Sequence, residues 1–104
     1  MISGIYELKG SPAGYEQVTV SDSVIGLDPP ANATKAILGV EDNDLRYRDD
    51  GEDPTASEGF LLKTQGNNTA PHIVLNSKEA IDGFNAIRDG AEDATLNVLY
   101  YKSK

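Results

Sequence analysis

Short runs of strand-forming residues, each closed by turn residues, most constrain what this chain can fold into. The last run, 94–101, alternates so that one strand face carries Ala94, Leu96, Val98 and Tyr100. Earlier runs of this kind occupy 15–20, 24–27, 35–40, 45–48, 60–63 and 72–75. Seven or eight short strands with little helix predict an all-β fold, a compact antiparallel β-sandwich. The pattern leaves an immunoglobulin-like and a jelly-roll-like topology open.

One segment, 77–88, has helical rather than strand periodicity. The spacing of a single helical face is shared by Ala80, Ile81, Phe84 and Ile87. Ser77 suits an N-cap, Arg88 the last turn and Gly90 the stop. Gly83 lies in the middle of the segment, where glycine costs about 1 kcal/mol relative to alanine. We therefore predict one short helical segment near 77–88, of one or two turns between two strands.

Length and composition set the class of protein. The 104 residues predict a single domain, 1–104, with no linker. There is no cysteine, so disulfides, cysteine-ligated zinc and a thiol nucleophile are excluded. The single histidine, His72, excludes a two-histidine metal site and argues against a histidine-based catalytic triad. We expect no cofactor, no signal peptide and no membrane-spanning run.

Net charge limits the classes of partner that this chain is expected to bind. The chain has 17 acidic and 9 basic side chains and a formal charge of −8. Nucleic acids and anionic membranes are bound through basic surfaces, so neither is an expected partner.

The densest charge cluster is the segment 41–58, with eight acidic residues and two arginines, which gives 2 − 8 = −6. Its acids lack the alternating positions of an EF-hand loop, so a calcium site is the weaker interpretation. The stronger one is a solvated acidic turn, structural or outward-facing, made of Asp49, Asp50, Gly51, Asp53, Pro54 and Thr55. Glycine permits positive φ, proline fixes φ, and Thr55 or Ser57 is expected to bind nearby backbone.

Tyrosines are the candidate interface residues. Tyr100 and Tyr101 are adjacent on a predicted strand, so they point to opposite faces and one of them should be core. The other suits a contact with a partner, because tyrosine gives a large contact area at low entropic cost. Tyr6 and Tyr15 are weaker candidates of the same kind. The predicted interface set is therefore Tyr100, Tyr101 and Tyr6.

Two parts of the chain together resemble small structural proteins of tailed bacteriophages. The first is Leu-Arg-Tyr-Arg-Asp-Asp-Gly-Glu-Asp-Pro-Thr-Ala-Ser-Glu-Gly-Phe-Leu-Leu at 45–62, preceded by the strand that contains 36–38. The second is the closing run 94–101, so the resemblance covers 33–102. A fainter similarity, at Tyr47, Asp50, Gly51, Pro54 and Thr55, links the chain to the immunoglobulin-like module of chitobiase-type hydrolases. Both resemblances imply a β-sandwich, and neither places catalytic residues at these positions.

The phage resemblance implies a non-enzymatic virion structural protein, assembled in the host cytoplasm. The preferred role is a capsid decoration (cement) protein that binds and stabilises the head shell. Its partners would be the major capsid protein or other virion proteins, and it would be a homo-oligomer on the particle, with the acidic segment 41–58 facing away from the shell. Alternatives are a head–tail adaptor or tail-completion protein, and then a carbohydrate- or partner-binding module. A small acid-catalysed glycosidase is the least supported alternative.

Overall fold

Eight strands and one short helix form the part of the chain that the computed structural model describes, residues 11–64 and 72–103. In chain order they are β1 (Ser11–Val20), β2 (Ile25–Gly26), β3 (Ala33–Glu41), β4 (Leu45–Arg48), β5 (Phe60–Leu62), β6 (His72–Leu75), α1 (Lys78–Asp82), β7 (Asn85–Arg88) and β8 (Ala94–Lys102). Each of the seven runs predicted as strands overlaps one of these strands. The prediction missed β7.

The strands form two antiparallel four-stranded sheets. The long-strand sheet has the order β1-β8-β3-β6, and the short-strand sheet has the order β2-β7-β4-β5. Pairing joins β1 to β8, β2 to β7, β3 to β6 and β4 to β5, as in one long hairpin rolled up on itself. This is the connectivity of a jelly roll. The fold is therefore an all-β sandwich, as predicted, and of the two open topologies it is the jelly roll.

The core lies between the sheets and follows the two-residue alternation of the strands. Ala94, Leu96, Val98 and Tyr100 of β8, which alternation groups on one face, are all buried, so this face is the inward one. On β4 the side chain of Leu45 is fully buried. Tyr47 stacks on Phe84 with ring centroids 5.4 Å apart. Full burial of each large apolar side chain contributes about 1.5–3 kcal/mol relative to exposure.

The predicted helical segment is only partly helical. The hydroxyl of Ser77 accepts a hydrogen bond from the Ala80 amide at 3.1 Å, so the predicted N-cap is correct. The helix ends at Gly83, not at Gly90, and residues 85–88 form β7. A Cβ at Gly83 would lie 2.9 Å from the Gly51 nitrogen, so the turn after β4 packs directly on this glycine.

Pairing with β2 and β4 explains why the second half of the segment is a strand. Ala86 faces Ile25 on one side and Tyr47 on the other, which buries it completely. Arg88 therefore does not face the end of a helix; it binds Asp93 at 2.6 Å instead. Within the described residues, no helix is both long enough and apolar enough to cross a membrane.

Candidate functional site

The outward face of the long-strand sheet carries an apolar row that crosses all four of its strands. Strand register places Tyr15 opposite Leu99, Leu99 opposite Ile37, and Ile37 opposite Val74. Tyr15 is 61% exposed, Val74 47% and Leu99 37%. A row of large apolar side chains on the solvent side of a sheet is an observation that burial in the core does not explain. We call these four residues the apolar row.

A hydrogen-bonded polar row runs beside the apolar row and fixes its aromatic end. The Tyr15 hydroxyl lies 2.5 Å from the side-chain oxygen of Asn97, which also accepts from the Gln17 amide at 3.0 Å. The Asn97 amide in turn donates to the Glu41 carboxylate at 3.0 Å. Tyr15 is thus held in place although it is exposed, which lowers the entropy lost when a partner covers it.

A shallow depression of about 350 Å³ separates the two rows where Gly39 provides no side chain. Register places Gly39 between Asn97 and His72, and the rim includes Tyr15, Ile37 and Leu99. A glycine within a strand often marks a place where another backbone or ligand comes close. The face therefore combines a pre-positioned ring, an apolar row and a recess.

The strand residues of this face carry no net formal charge in a strongly acidic protein, and one exposed acid, Asp42, follows directly after β3. Among the strand residues that register places on it, only Lys35 and Glu41 are charged, so their sum is zero. The chain as a whole has a charge of −8. Depletion of charge around exposed aromatic and aliphatic groups is the compositional mark of an interface centre.

The acidic turn lies in the other sheet, in the connection between β4 and β5. Gly51 has φ 86° and Gly59 φ 124°, so both glycines adopt conformations that other residues avoid. Pro54 is buried between them. The Thr55 hydroxyl accepts from the Ser57 amide at 3.2 Å, and the Thr55 amide donates to the Glu58 carbonyl at 2.9 Å. The predicted use of Thr55 is confirmed, and the turn is internally bonded.

The two arginines of the segment act at different places. Arg48 binds both carboxylate oxygens of Asp50, at 3.0 and 2.6 Å, and this hydrogen-bonded pair raises the pKa of Arg48 and lowers that of Asp50. Arg46 binds Asp89, outside the segment, at 3.0 Å. The N-terminal acids also point elsewhere: Asp42 accepts from the amide and hydroxyl of Thr95. The segment is thus two groups of acids, and the turn at 49–58 is the more exposed.

Tyr100 is not an interface residue, which corrects one prediction. It is 1% exposed and lies in the core, where its hydroxyl donates to the Glu16 carboxylate. Burial first, and this carboxylate second, raise the pKa of its phenol. Tyr101 is half-buried on the outward face beside Leu99, as the alternation requires. Tyr6 lies outside the described residues.

Sequence reasoning missed three of the four residues of the apolar row. Leu99 had a signal, since alternation placed it on the same face as Tyr101. Ile37 and Val74 had none, because single apolar residues in short strands do not show which face meets the core until the partners are known. Within 11–64 and 72–103, no group of three His, Asp or Glu side chains is placed to hold a metal ion.

The fold and the site together define an acidic jelly-roll domain with a neutral apolar face. No protein-family description matches the chain, and no curated protein or solved structure matches it. The class is therefore given by topology and surface alone.

Proposed function

We propose that this protein is a non-enzymatic structural protein of a phage virion, a decoration protein that docks on the head shell through the outward face of its long-strand sheet. The apolar row carries the proposal, because it is an exposed, aligned and uncharged surface with an anchored tyrosine at one end. The phage resemblance of 33–102 supports the identity of the partner. Jelly rolls occur in viral capsid and lectin domains, so the fold adds support by analogy.

The distribution of charge supports the proposed orientation. The turn at 49–58 carries Asp49, Asp50, Glu52, Asp53 and Glu58, and it belongs to the short-strand sheet. When the long-strand sheet meets the shell, the acidic turn is in the opposite layer, whereas Glu41 lies on the docking face, so the proposed outward orientation applies to 49–58 and not to all of 41–58. Outward acids keep decorated particles soluble and mutually repelling.

Docking would stabilise the shell by mass action. A protein that binds only the expanded state of the shell shifts the equilibrium toward that state, by about 2.7 kcal/mol per site at one hundred times its dissociation constant. This mechanism needs a rigid complementary face and no chemistry at the acids. Tyr15, held by Asn97, is the expected anchor of the contact, because fixed aromatic side chains dominate interface energies.

The test is add-back of purified protein to heads made without it. Native protein is expected to co-sediment with the heads, and electron microscopy should place it on the shell. Leu99→Lys and Val74→Lys each put a charge into the apolar row and should weaken binding about tenfold or more. Ser57→Lys, in the acidic turn, is the matched control and should bind like the native protein.

Three results would overturn the proposal. Absence of native protein from heads and whole particles removes the virion role. Equal binding by the row variants and the native protein removes the docking face. Density at the portal or tail instead of the shell would assign the protein to the adaptor or tail-completion alternative.

A second candidate function rests on a different surface. Phe60 is 69% exposed and lies beside the Arg48–Asp50 pair on a depression of about 340 Å³. An exposed ring beside fixed polar groups suits the face and hydroxyls of a sugar. A glycan array should then give a hit that Phe60→Ala abolishes and Leu99→Lys leaves intact, whereas an array without hits removes this candidate.

A further inference from the structure

Strand β1 has a long edge with no strand beside it in the described residues. It spans Ser11–Val20 and pairs with β8 alone. The other sheet edges are short: β2 has two residues, β5 three and β6 four. Short edge strands and outward charges are the usual protections against unplanned pairing. The β1 edge has neither over most of its length.

The regular part of this edge is symmetric about one residue. A bulge between Pro12 and Gly14 disturbs its start, and from Gly14 to Val20 the register with β8 is unbroken. Gln17 is the middle residue of that stretch. Proline has no amide hydrogen to donate, so pairing centred on Gln17 uses the regular stretch and leaves Pro12 outside.

We propose that two copies of this chain pair through β1, antiparallel, with the two-fold axis at Gln17. Gln17 then faces its own copy, Tyr15 faces Thr19, Glu16 faces Val18 and Gly14 faces Val20. The pairing completes the backbone hydrogen bonds of both edges and makes one eight-stranded sheet from two long-strand sheets. Such a contact is isologous, so it closes as a dimer and does not propagate.

The side chains of the edge suit a second copy. Glu16 is the only charged residue of β1, and its carboxylate already accepts from the Tyr100 hydroxyl and from the Asp28 amide. In the proposed register it lies opposite Val18, so no two carboxylates face each other across the seam. At the axis the Gln17 side chains are uncharged, and each amide nitrogen donates within its own sheet, to Asn97 at 3.0 Å and to Glu41 at 3.3 Å, so no like charges meet at the seam.

The dimer would carry both apolar rows on one side of the joined sheet. Each row ends at Tyr15, on the strand that forms the seam. A ligand with repeated binding sites would then be bound by both copies of the dimer at once, which raises its apparent affinity without a new kind of contact. The pairing itself does not depend on the proposed function, since it concerns the free protein.

Cysteine cross-linking tests both the dimer and its register, and the chain has no cysteine of its own. Gln17→Cys places two thiols directly opposite, within the Cα separation that a disulfide bridges. Tyr15→Cys or Thr19→Cys alone puts the thiols about 13 Å apart along the strands and should not cross-link. A mixture of these two variants should cross-link. Ser57→Cys, in the acidic turn, measures random collision.

Sedimentation of the native chain gives the second readout. The mass should rise from 11.1 kDa toward twice that value with concentration. It should rise further at about 0.5 M than at about 0.02 M salt, because salt screens the repulsion between two acidic copies. Gln17→Lys opposes two ammonium groups at the axis and should raise the dissociation constant about tenfold or more.

A constant 11.1 kDa mass, with Gln17→Cys cross-linking no faster than Ser57→Cys, would overturn the inference. A dimer that cross-links through Tyr15→Cys alone would overturn the axis at Gln17. Neither result bears on binding to heads, which is measured with separate variants.

Discussion

Three glycines show how a single residue type serves different structural needs. Gly59 has φ 124°, and a Cβ there would lie 3.0 Å from the Pro54 Cβ and 3.1 Å from the Tyr47 carbonyl. Gly51 has φ 86° and open space around it. Gly90 has open space and no positive φ. A side chain at position 59 would therefore meet both an unfavourable backbone conformation and a steric clash. At position 51 it would meet only the unfavourable conformation, and at position 90 neither.

Alanine at these three positions should separate the two costs. Gly59→Ala is expected to lower the free energy of unfolding by about 2–4 kcal/mol, since strain and a clash both apply. Gly51→Ala should lower it by about 1–2 kcal/mol, the cost of the left-handed conformation. Gly90→Ala should change it by less than about 0.5 kcal/mol. Urea unfolding measures all three, and equal losses at Gly51 and Gly59 would contradict the clash.

The phenol of Tyr100 couples folding to alkaline pH. Its folded pKa is raised above the ordinary value of about 10, mainly by burial and then by the Glu16 carboxylate. A raised pKa means that the folded state holds its proton more tightly than the unfolded state. The stabilisation is therefore fully present below pH about 10 and is lost as the pH rises beyond it, because the unfolded phenol ionises first.

Tyr100→Phe should remove this pH dependence as well as a hydrogen bond. At neutral pH we expect a loss of about 1–2 kcal/mol, because the partly buried Glu16 loses a donor. Above pH about 10 the native protein should lose up to about 1.4 kcal/mol per pH unit more than the variant. Tyr101→Phe is the control and should keep the alkaline decline. If the free energies of unfolding of the native protein and of Tyr100→Phe, measured with urea, fall in parallel as the pH rises across that range, the coupling is refuted.

At the scale of elements, α1 depends on its cap more than on its length. The helix has five residues, fewer than a stable isolated helix needs, and one buried side chain, Ile81. Ser77 satisfies the Ala80 amide, which otherwise lacks a partner within the helix. The cap and the Gly83 contact with Gly51 together define both ends.

Ser77→Ala should therefore lower the free energy of unfolding by about 1 kcal/mol, within the usual range for a lost N-cap. Ser77→Asp keeps an acceptor and should retain most of the stability. Urea denaturation gives both values. Equal losses in the two variants would show that the hydroxyl acts by some contact other than the cap.

Local pattern predicted most strands but not β7, and the reason is physical. Strands such as 94–101 can be recognised from the alternation of their residues, since one face packs in the core and the other faces solvent. In 85–88 the apolar residues Ala86 and Ile87 are adjacent, which fits a helix as well as a strand. Pairing with both β2 and β4 decides the outcome, and these partners lie far away in sequence.

The candidate site was less predictable than the fold. Chemistry alone makes Tyr101 a predicted interface residue and Tyr15 a weaker candidate, but it predicts the same of Tyr100, which is core. Alignment of Tyr15 with Leu99, Ile37 and Val74 depends on the register of four strands, which no local pattern records. The acidic turn was predictable in detail, because its glycines, proline and threonine act through short-range geometry.

At the scale of the whole molecule, the uneven distribution of charge should make stability depend on salt. The turn at 49–58 carries five acids, of which Asp50 is bound to Arg48, while the charges of the strand residues on the long-strand sheet face sum to zero. Crowded like charges destabilise the folded state, and salt screens charges separated by more than about 8–10 Å. The free energy of unfolding should therefore rise by roughly 1 kcal/mol between low and moderate salt.

Two variants with the same net charge test whether clustering or total charge causes this rise. Asp53→Asn removes an acid from the turn, and Asp22→Asn removes one from the exposed connection after β1. If clustering dominates, Asp53→Asn should raise stability at low salt and flatten the dependence on salt, whereas Asp22→Asn should leave both nearly unchanged. Urea unfolding in a sodium chloride series, at dilute protein, gives the slopes. Equal slopes for the two variants would mean that total charge sets the effect, since neutralising either acid then relieves the same repulsion.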